Sequence, residues 1–300
     1  MQLTSRRTIF SRQAGVLACL VVLSGLLTGE AMGQSHRYRP PPQYVQIGKP
    51  DQVEGRHILE DFRLKGIAGD YYLEFELRVL PRRGDERVVQ ARLWGGRNDR
   101  GPVSRVVLHP GAGSNETRLL VQNGPDSAVW SWPGAGAQIA ALGSAALFDP
   151  LAGTDLTAFD LQMPFLYWND FVFEGVAPLR GRPAYVFLLY PPAAIAAKKP
   201  ELAGVRVYLD TQFGALVQAR QIGEGDRVLK SITVLDLKKV DGQWIVKTID
   251  VRDEATRNKT QFSVTGAALG LDFSNTLFEP AMLGDNIGPP TAARIRRISP

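Results

Sequence analysis

The sequence predicts a mainly β domain: a strongly curved antiparallel sheet of about eleven strands that must either close or have its concave face covered, with short helices as natural covers. Three observations carry this expectation. Tyr71, Leu73, Phe75, Leu77 and Val79 alternate with Glu74, Glu76 and Arg78, the period of a half-buried strand with one wet side. Asp241-Gly242 separates two apolar alternating runs, Val228 to Leu237 and Trp244 to Val251; a two-residue hairpin turn asks both of its residues for positive φ. Short β-rich runs of the same kind recur along the chain between turn residues, without an internal repeat at any fixed period.

The N-terminus reads as an export leader. Arg6, Arg7 and Arg12 precede an apolar run from Ala14 to Leu27, which at 14 residues falls short of the roughly 20 needed to span a bilayer. Ala31-Met32-Gly33 sets small residues three and one before Gln34, so residues 1–33 are expected to be cleaved as a signal peptide. An uncleaved anchor is the alternative. Ser5-Arg6-Arg7-Thr8-Ile9-Phe10 resembles a twin-arginine signal, and two arginines also serve as plain positive charge, so both export routes stay open. Cys19 is the only cysteine and leaves with the leader, so the mature chain has no disulfide and no cysteine metal site. Val16-Leu17-Ala18-Cys19 resembles an acylation box, but the apolar run continues after Cys19 rather than ending at it.

Residues 34–52, with Pro40-Pro41-Pro42 and little apolar content, read as an extended tether. Val53, His57-Ile58 and Phe62 give a short first helix over Val53–Leu64. After the Tyr71–Val79 strand, Arg82-Arg83-Gly84-Asp85 turns the chain. Strands follow at Val88–Trp94, Val103–His109, Thr117–Gln122 and Ser127–Trp132. Period two stops between Pro133 and Asn169. Gly134–Leu147 is small and apolar, and Asp155–Phe165 reads as an amphipathic helix with Leu156, Phe159, Leu161 and Met163 on one side and Thr154 or Asp155 as cap.

Strands resume at Phe171–Val176 and Pro183–Tyr190. Pro191-Pro192 ends the second, and Ala193–Leu202 bridges to a final antiparallel module. Its runs are Gly204–Asp210, Ala215–Ile222, Val228–Leu237, Trp244–Val251, Lys259–Thr265 and a closing Asn275–Pro280. Residues 53–284 thus form the domain. Residues 285–300 carry Arg294, Arg296 and Arg297 and read as a basic flexible tail, solvated or touching anionic headgroups.

The chain carries a formal charge of +5, and loss of residues 1–33 removes three arginines and Glu30 to leave +3. That is a mild excess with no basic–aromatic interleaving, which argues against nucleic acid. The histidines are His36, His57 and His109, in the tether, the first helix and a strand end; no HxH, HExxH or cysteine pair exists, so no metal is expected. His57 and Asp61 are spaced to pair on a helix surface. Asp155 and Asp160 could face each other, but the simpler reading makes Asp155 a cap and leaves Asp160 solvated or on a backbone amide. No G-x-S-x-G elbow, P-loop or dinucleotide fingerprint occurs. No catalysis and no cofactor are therefore expected.

Four motifs carry a resemblance. A strand ends in Leu209-Asp210; a hairpin of the form K-x7-K-x-V-D-G-x-W runs from Lys230 to Trp244; and Leu277-Phe278-Glu279-Pro280 closes the module. Gly153-Thr154-Asp155-Leu156-Thr157-Ala158-Phe159-Asp160-Leu161 matches G-[ST]-D-x-[ST]-x-x-D-L. This order resembles the outer-membrane lipoprotein-sorting (LolA-like) family of periplasmic lipid carriers. The resemblance covers roughly Ala128 to Leu283, and residues 53–127 match in pattern only. After Trp130-Ser131-Trp132-Pro133 relatives more often continue with a basic stretch, where this chain has Gly134 to Ala146.

On the residues alone, apolar faces such as Leu73, Phe75, Leu77, Val205, Val207 and Leu209 either fill a barrel core or line a cavity. The resemblance implies an unclosed β-barrel with short helices over its mouth and an apolar cavity between, with these six plus Leu156 and Phe159 as candidate lipid-binding residues. It implies a periplasmic carrier or chaperone for acyl chains of a lipid or lipoprotein, with an inner-membrane donor and an outer-membrane acceptor as partners. A non-catalytic envelope domain that senses or binds a protein partner is the alternative.

Overall fold

The computed structural model describes residues 49–109, 111 and 116–299. The expected leader, its cleavage point after Gly33, Cys19, His36 and the tether through residue 48 lie outside the described residues.

Two β-meanders meet edge to edge. The first comprises β1 (Asp70–Leu80), β2 (Arg87–Asn98), β3 (Gly101–His109), β4 (Thr117–Gln122), β5 (Ala128–Trp132) and β6 (Ala140–Ala141). The second comprises β7 (Phe171–Leu179), β8 (Arg182–Leu189), β9 (Gly204–Asp210), β10 (Leu216–Ile222), β11 (Val228–Val240), β12 (Gln243–Asp253) and β13 (Lys259–Leu271). Pairing of β1 with β13 joins them, giving the order β6-β5-β4-β3-β2-β1-β13-β12-β11-β10-β9-β8-β7. A last strand, β14 (Arg296–Arg297), pairs with β13, so the described residues form one antiparallel sheet of fourteen strands. It is curved and unclosed.

The alternation in β1 decides which side faces in. Leu73, Phe75, Leu77 and Val79 are buried, while Arg78 is exposed. Register shifts between Glu74 and Phe75, between Phe173 and Gly175, and twice between Val234 and Leu237 place bulges at Thr265 in β13, Glu174 in β7, Leu235 in β11 and Lys247 in β12. Bulges bend a strand and sharpen its twist, which suits a sheet wrapped around its own side chains. The hairpin between β11 and β12 turns at Asp241 (φ 45°) and Gly242 (φ 85°), the positive pair that its sequence requires.

Helix α1 (Gln52–Leu64) covers the free edge of β7. Asp51 caps it, its carboxylate accepting from the Val53 and Glu54 amides. The Gln52 carboxamide then behaves as a one-residue strand: its Oε1 accepts from Phe173 N at 2.8 Å and its Nε2 donates to Phe173 O at 2.9 Å. Unpaired edge groups are a liability, and this contact blunts them. His57 approaches Glu60 at 3.9 Å rather than the expected Asp61.

The second cover differs from the Asp155–Phe165 helix expected. A 3₁₀ turn, Ala146–Phe148, precedes helix α2, which spans only Ala158–Gln162, and a second 3₁₀ turn follows at Pro164–Tyr167. Its cap is Thr157, in a capping box with Asp160, because the Thr154 hydroxyl is committed to Leu151 O and the Asp155 carboxylate to Thr260. Met163 at φ 49° ends it, and Pro164 cannot continue it. Helix α3 (Ala193–Ala196) falls within the expected bridge.

Two expectations about the C-terminus are corrected. Asn275–Pro280 is not a strand: Asn275–Phe278 and Pro280–Gly284 are 3₁₀ turns. A strand would send the adjacent Leu277 and Phe278 to opposite faces, whereas both are buried in one cluster. The following residues are not a loose tail either. Ile295 and Ile298 are buried, Ile298 N donates to Thr265 O at 2.9 Å, and Arg296–Arg297 pair with β13. The isoleucines between the arginines supply the apolar contact that a reading of charge alone overlooks.

The sheet consequently has a core on each face. The main one unites the helices with the inward residues of both meanders. The other places Tyr72, Trp94, Leu120, Leu277, Phe278 and Leu283 on the outer side of the first meander. Arg105 and Arg118 fasten the C-terminal segment there: Arg105 donates to Met282 O at 2.7 Å and Leu283 O at 3.1 Å, and Arg118 to Asp285 O at 2.6 Å. Burial, together with the neighbouring Arg118, pushes Arg105 down to about 10.

Candidate functional site

All eight residues expected to face a lipid sit in the main core. Leu73, Phe75 and Leu77 come from β1, Val205, Val207 and Leu209 from β9, and Leu156 and Phe159 from the α2 region; none exceeds 8 % exposure. Phe75 packs on Phe262 with ring centroids 4.5 Å apart, and Phe159 on Phe148 at 4.7 Å. The structure brings these residues together as a packed interior, and none of them lines the chamber that lies beside it.

That chamber has a volume of about 340 Å³. Phe62 of α1, Leu161, Met163 and Leu166 of the cover, and Ile232, Val234, Leu237, Val246 and Ile249 of the β11–β12 hairpin supply its apolar wall. Two of these, Leu161 and Met163, stand in the apolar pattern that suggested the second helix. The hairpin residues follow from the same alternation that reveals β11: Ile232 and Val234 share a face, and the bulge at Leu235 brings Leu237 back to it. The sequence therefore held the signal, but the depth of each strand in the barrel, which separates core from mouth, is a tertiary property.

The start of the cover is fixed by a buried ion pair. Asp160 is 1 % exposed, so of the two expectations the solvated carboxylate fails and the backbone-amide contact holds, through Thr157 N. Its Oδ2 accepts from Lys230 Nζ at 2.8 Å, Thr157 Oγ1 at 2.8 Å and Thr157 N at 3.0 Å, and its Oδ1 from Gln221 Nε2 at 2.9 Å. Lys230 also donates to Asp155 O at 2.8 Å, and the Asp155 carboxylate accepts from Thr260 Oγ1 at 2.8 Å. A buried charge is tolerated only with such complete pairing. The G-[ST]-D-x-[ST]-x-x-D-L segment and the hairpin's first lysine are thus the two halves of one clasp.

The end of the cover is fixed differently. Arg63 of α1 donates from Nε to Leu166 O at 2.6 Å and from Nη2 to Trp168 O at 3.0 Å, and lies 5.7 Å from the Tyr167 ring centroid. Burial holds its guanidinium below the usual range and raises the Tyr167 hydroxyl. Among the described residues, no group of three or more His, Cys, Asp or Glu could hold a metal ion. No described helix is long and apolar enough to cross a membrane.

A family model described as an uncharacterized protein matches residues 106–285. No curated protein matches the sequence. Among solved structures, the chain is similar to a DUF1329 family protein from Desulfovibrio piger, with 18% identity and TM-score 0.66 over 77% of this chain and 98% of the other. A putative outer membrane lipoprotein-sorting protein domain from Vibrio parahaemolyticus gives 16% identity and TM-score 0.66 over 78% and 100%. A LolA superfamily protein from Nitrosomonas europaea gives 13% identity and TM-score 0.56 over 75% and 96%. Since the family match spans more than half of the chain, the protein belongs to that uncharacterized family, and its curved, unclosed sheet is the fold of the lipoprotein-sorting and LolA-like proteins.

Proposed function

We propose that the protein is a periplasmic carrier that shields acyl chains of a lipid or lipoprotein in the chamber beneath α1 and the Met163–Trp168 strap. The observation that carries this reading is the chamber itself: about 340 Å³, walled largely by aliphatic side chains, within a fold shared with lipoprotein-sorting proteins. Its size falls at the lower end of ordinary ligand pockets, roughly 300–1,000 Å³. Each buried methylene contributes about 0.8 kcal/mol, so six to eight of them bring about 5–6 kcal/mol before the costs of association. Binding of this kind needs no nucleotide, metal or catalytic step, and exchange with an inner-membrane donor and an outer-membrane acceptor would complete the cycle. The carrier domain in this reading runs from α1 through β14, preceded by a cleaved leader and a tether. The site shifts from the eight core residues to the chamber wall, with Phe62, Leu161, Met163, Leu166, Ile232 and Ile249 as the acyl contacts.

Purification without detergent, followed by mass spectrometry of the organic extract and titration with a fluorescent fatty acid, tests it. The expected result is co-purified acyl species or saturable uptake that weakens in a Leu166→Asp variant. A parent protein that carries no lipid and takes up no fatty acid would overturn the carrier reading in favour of a protein-binding envelope domain.

A further inference from the structure

On the other side of the same strap lies a second space, a cleft of about 700 Å³. Gln162 and Tyr167 line both the cleft and the chamber, so one turn of chain forms a common wall. Gln162 is 2 % exposed and pins that wall by donating to Gln122 O at 3.1 Å.

The two spaces differ in chemistry. The chamber is largely aliphatic, with Arg63 and Lys65 as its cations, whereas the cleft adds the rings of Trp168 and Tyr190 to the shared Tyr167 and sets them beside Asn169 and Asp170. Ser127 and Ser144 add hydroxyls. Among the described residues, no hydrogen bond or ion pair engages the side chains of Ser127, Ser144, Asn169 or Asp170. No lysine, arginine or histidine lines the cleft, and its one acidic residue is Asp170. A phosphate or sulfate placed there would lose water without gaining a cation and would meet a carboxylate. An uncharged group rich in hydroxyls meets the opposite situation. It can donate to Asp170, accept from the Asn169 amide and the serines, and lay its C–H faces on the aromatic rings.

We propose that the cleft takes an uncharged, hydroxyl-rich group such as a sugar ring, and that the cargo is an amphiphile whose chain occupies the chamber while its head occupies the cleft. This rests on the acyl-chain reading above and adds the head-group class to it. The common wall supplies the geometry: an amphiphile draped over the strap reaches both spaces at once.

Isothermal titration of the purified protein with dodecyl maltoside, dodecanoate and maltose, each below any micelle-forming concentration, tests it. Dodecyl maltoside and dodecanoate carry chains of equal length and differ in the head. The expected result is that dodecyl maltoside binds at least about tenfold tighter, the return of two or three hydrogen bonds. An Asn169→Ala, Asp170→Ala double variant should lose that advantage and keep its affinity for dodecanoate; both residues are exposed, so the fold tolerates the change. Equal affinities in the parent, or an advantage that survives the double variant, would overturn the head-group assignment and leave the acyl-chain reading standing. Maltose binding that the double variant abolishes, without any uptake of dodecanoate, would keep the cleft as a sugar site and overturn the acyl-chain reading. No binding of any of the three would overturn both.

Discussion

The cover over the sheet consists of two consecutive pieces held in opposite ways. Residues 154–160 are locked by the Asp160–Lys230 ion pair and the Asp155–Thr260 hydrogen bonds, with Leu156, Ala158 and Phe159 set in solid core. Residues 161–168 run between the two spaces, held by Phe165 and Trp168, which pack on Phe159 in the main core, and by Arg63, which donates to two backbone carbonyls. A void costs stability because its lining lacks contacts, and a sheet this curved could relax by closing on it. The clasp keeps one end of the cover at a fixed height, which holds the neighbouring strap away from the β11–β12 hairpin. Rigidity in the first piece is what permits room under the second.

Breaking the clasp should therefore have the largest effect. Lys230→Met leaves the Asp160 carboxylate buried without its cation, and removal of one partner from such a pair costs about 3–5 kcal/mol. Chemical denaturation would measure it. The double change of Lys230→Met with Asp160→Leu removes both charges and should recover most of the loss. A single change as mild as a surface substitution would mean that the clasp does not hold the cover.

The contrast between solid core and chamber sharpens next. Phe75 is fully buried against Phe262, so Phe75→Ala should cost about 3–5 kcal/mol through lost transfer energy plus a new cavity, with chamber binding retained in the fraction that folds. Leu166→Ala removes a side chain that already faces open volume. It should cost about 1–2 kcal/mol while weakening fatty-acid uptake. Equal costs at the two positions would erase the distinction between core and chamber.

How much of this was legible in the sequence depends on the range of the signal. The β11–β12 turn needed only Asp241 and Gly242, and the β1 faces needed only the alternation from Tyr71 to Val79; both are local, and both appear as expected. Most strands of the second meander also lie close to their expected bounds, because turn residues frame them; β13 starts at Lys259 as expected but runs to Leu271 rather than Thr265. The Asp160 clasp was half legible: its segment stood out as a motif, yet the partner Lys230 lies 70 positions away, and nothing local joins them. In residues 285–299 the local signal of three arginines points to a solvated tail, whereas Ile295 and Ile298 are buried, Ile295 against an outer face of the first meander that only the folded sheet creates. The chamber was invisible for the same reason. Leu73 and Ile232 carry the same inward alternation, and only position along the barrel makes one core and the other wall.

A third perturbation probes where the cover meets the sheet edge. An added Cβ at Gly55 would lie 2.5 Å from the Phe173 Cβ, a distance that forces the helix or the strand to move. Gly55→Ala gains helix propensity of up to about 1 kcal/mol, yet overpacking of this kind costs about 1–3 kcal/mol. The net expectation is a modest loss together with faster amide exchange at Phe173, whose N–H is held by Gln52. A stabilised Gly55→Ala variant with unchanged exchange would show that α1 is free to lift from β7.

The smallest expected effect concerns His109, at the far end of the first meander from the chamber. Its Nδ1 lies 3.0 Å from a Glu116 carboxylate oxygen, while its Nε2 is buried with no partner among the described residues. A neutral ring that donates from Nδ1 suits that geometry; protonation would place a second N–H where nothing accepts it. Burial accordingly holds His109 below its ordinary value of 6.5, with Arg92 and Arg118 acting in the same direction and Glu116 opposing. The unfolded chain then binds more protons than the folded one as pH falls through 6.5, so the fold loses stability over that window. The side chain is 35 % exposed, and solvent screening keeps the effect on the order of 1 °C in Tm. His109→Gln keeps an amide to donate to Glu116 and removes the titration. Its Tm should fall less than the parent's between pH 7.5 and pH 5.5, with His57 and the carboxylates common to both proteins. An identical pH dependence in the two would show that His109 titrates as it does in the unfolded chain.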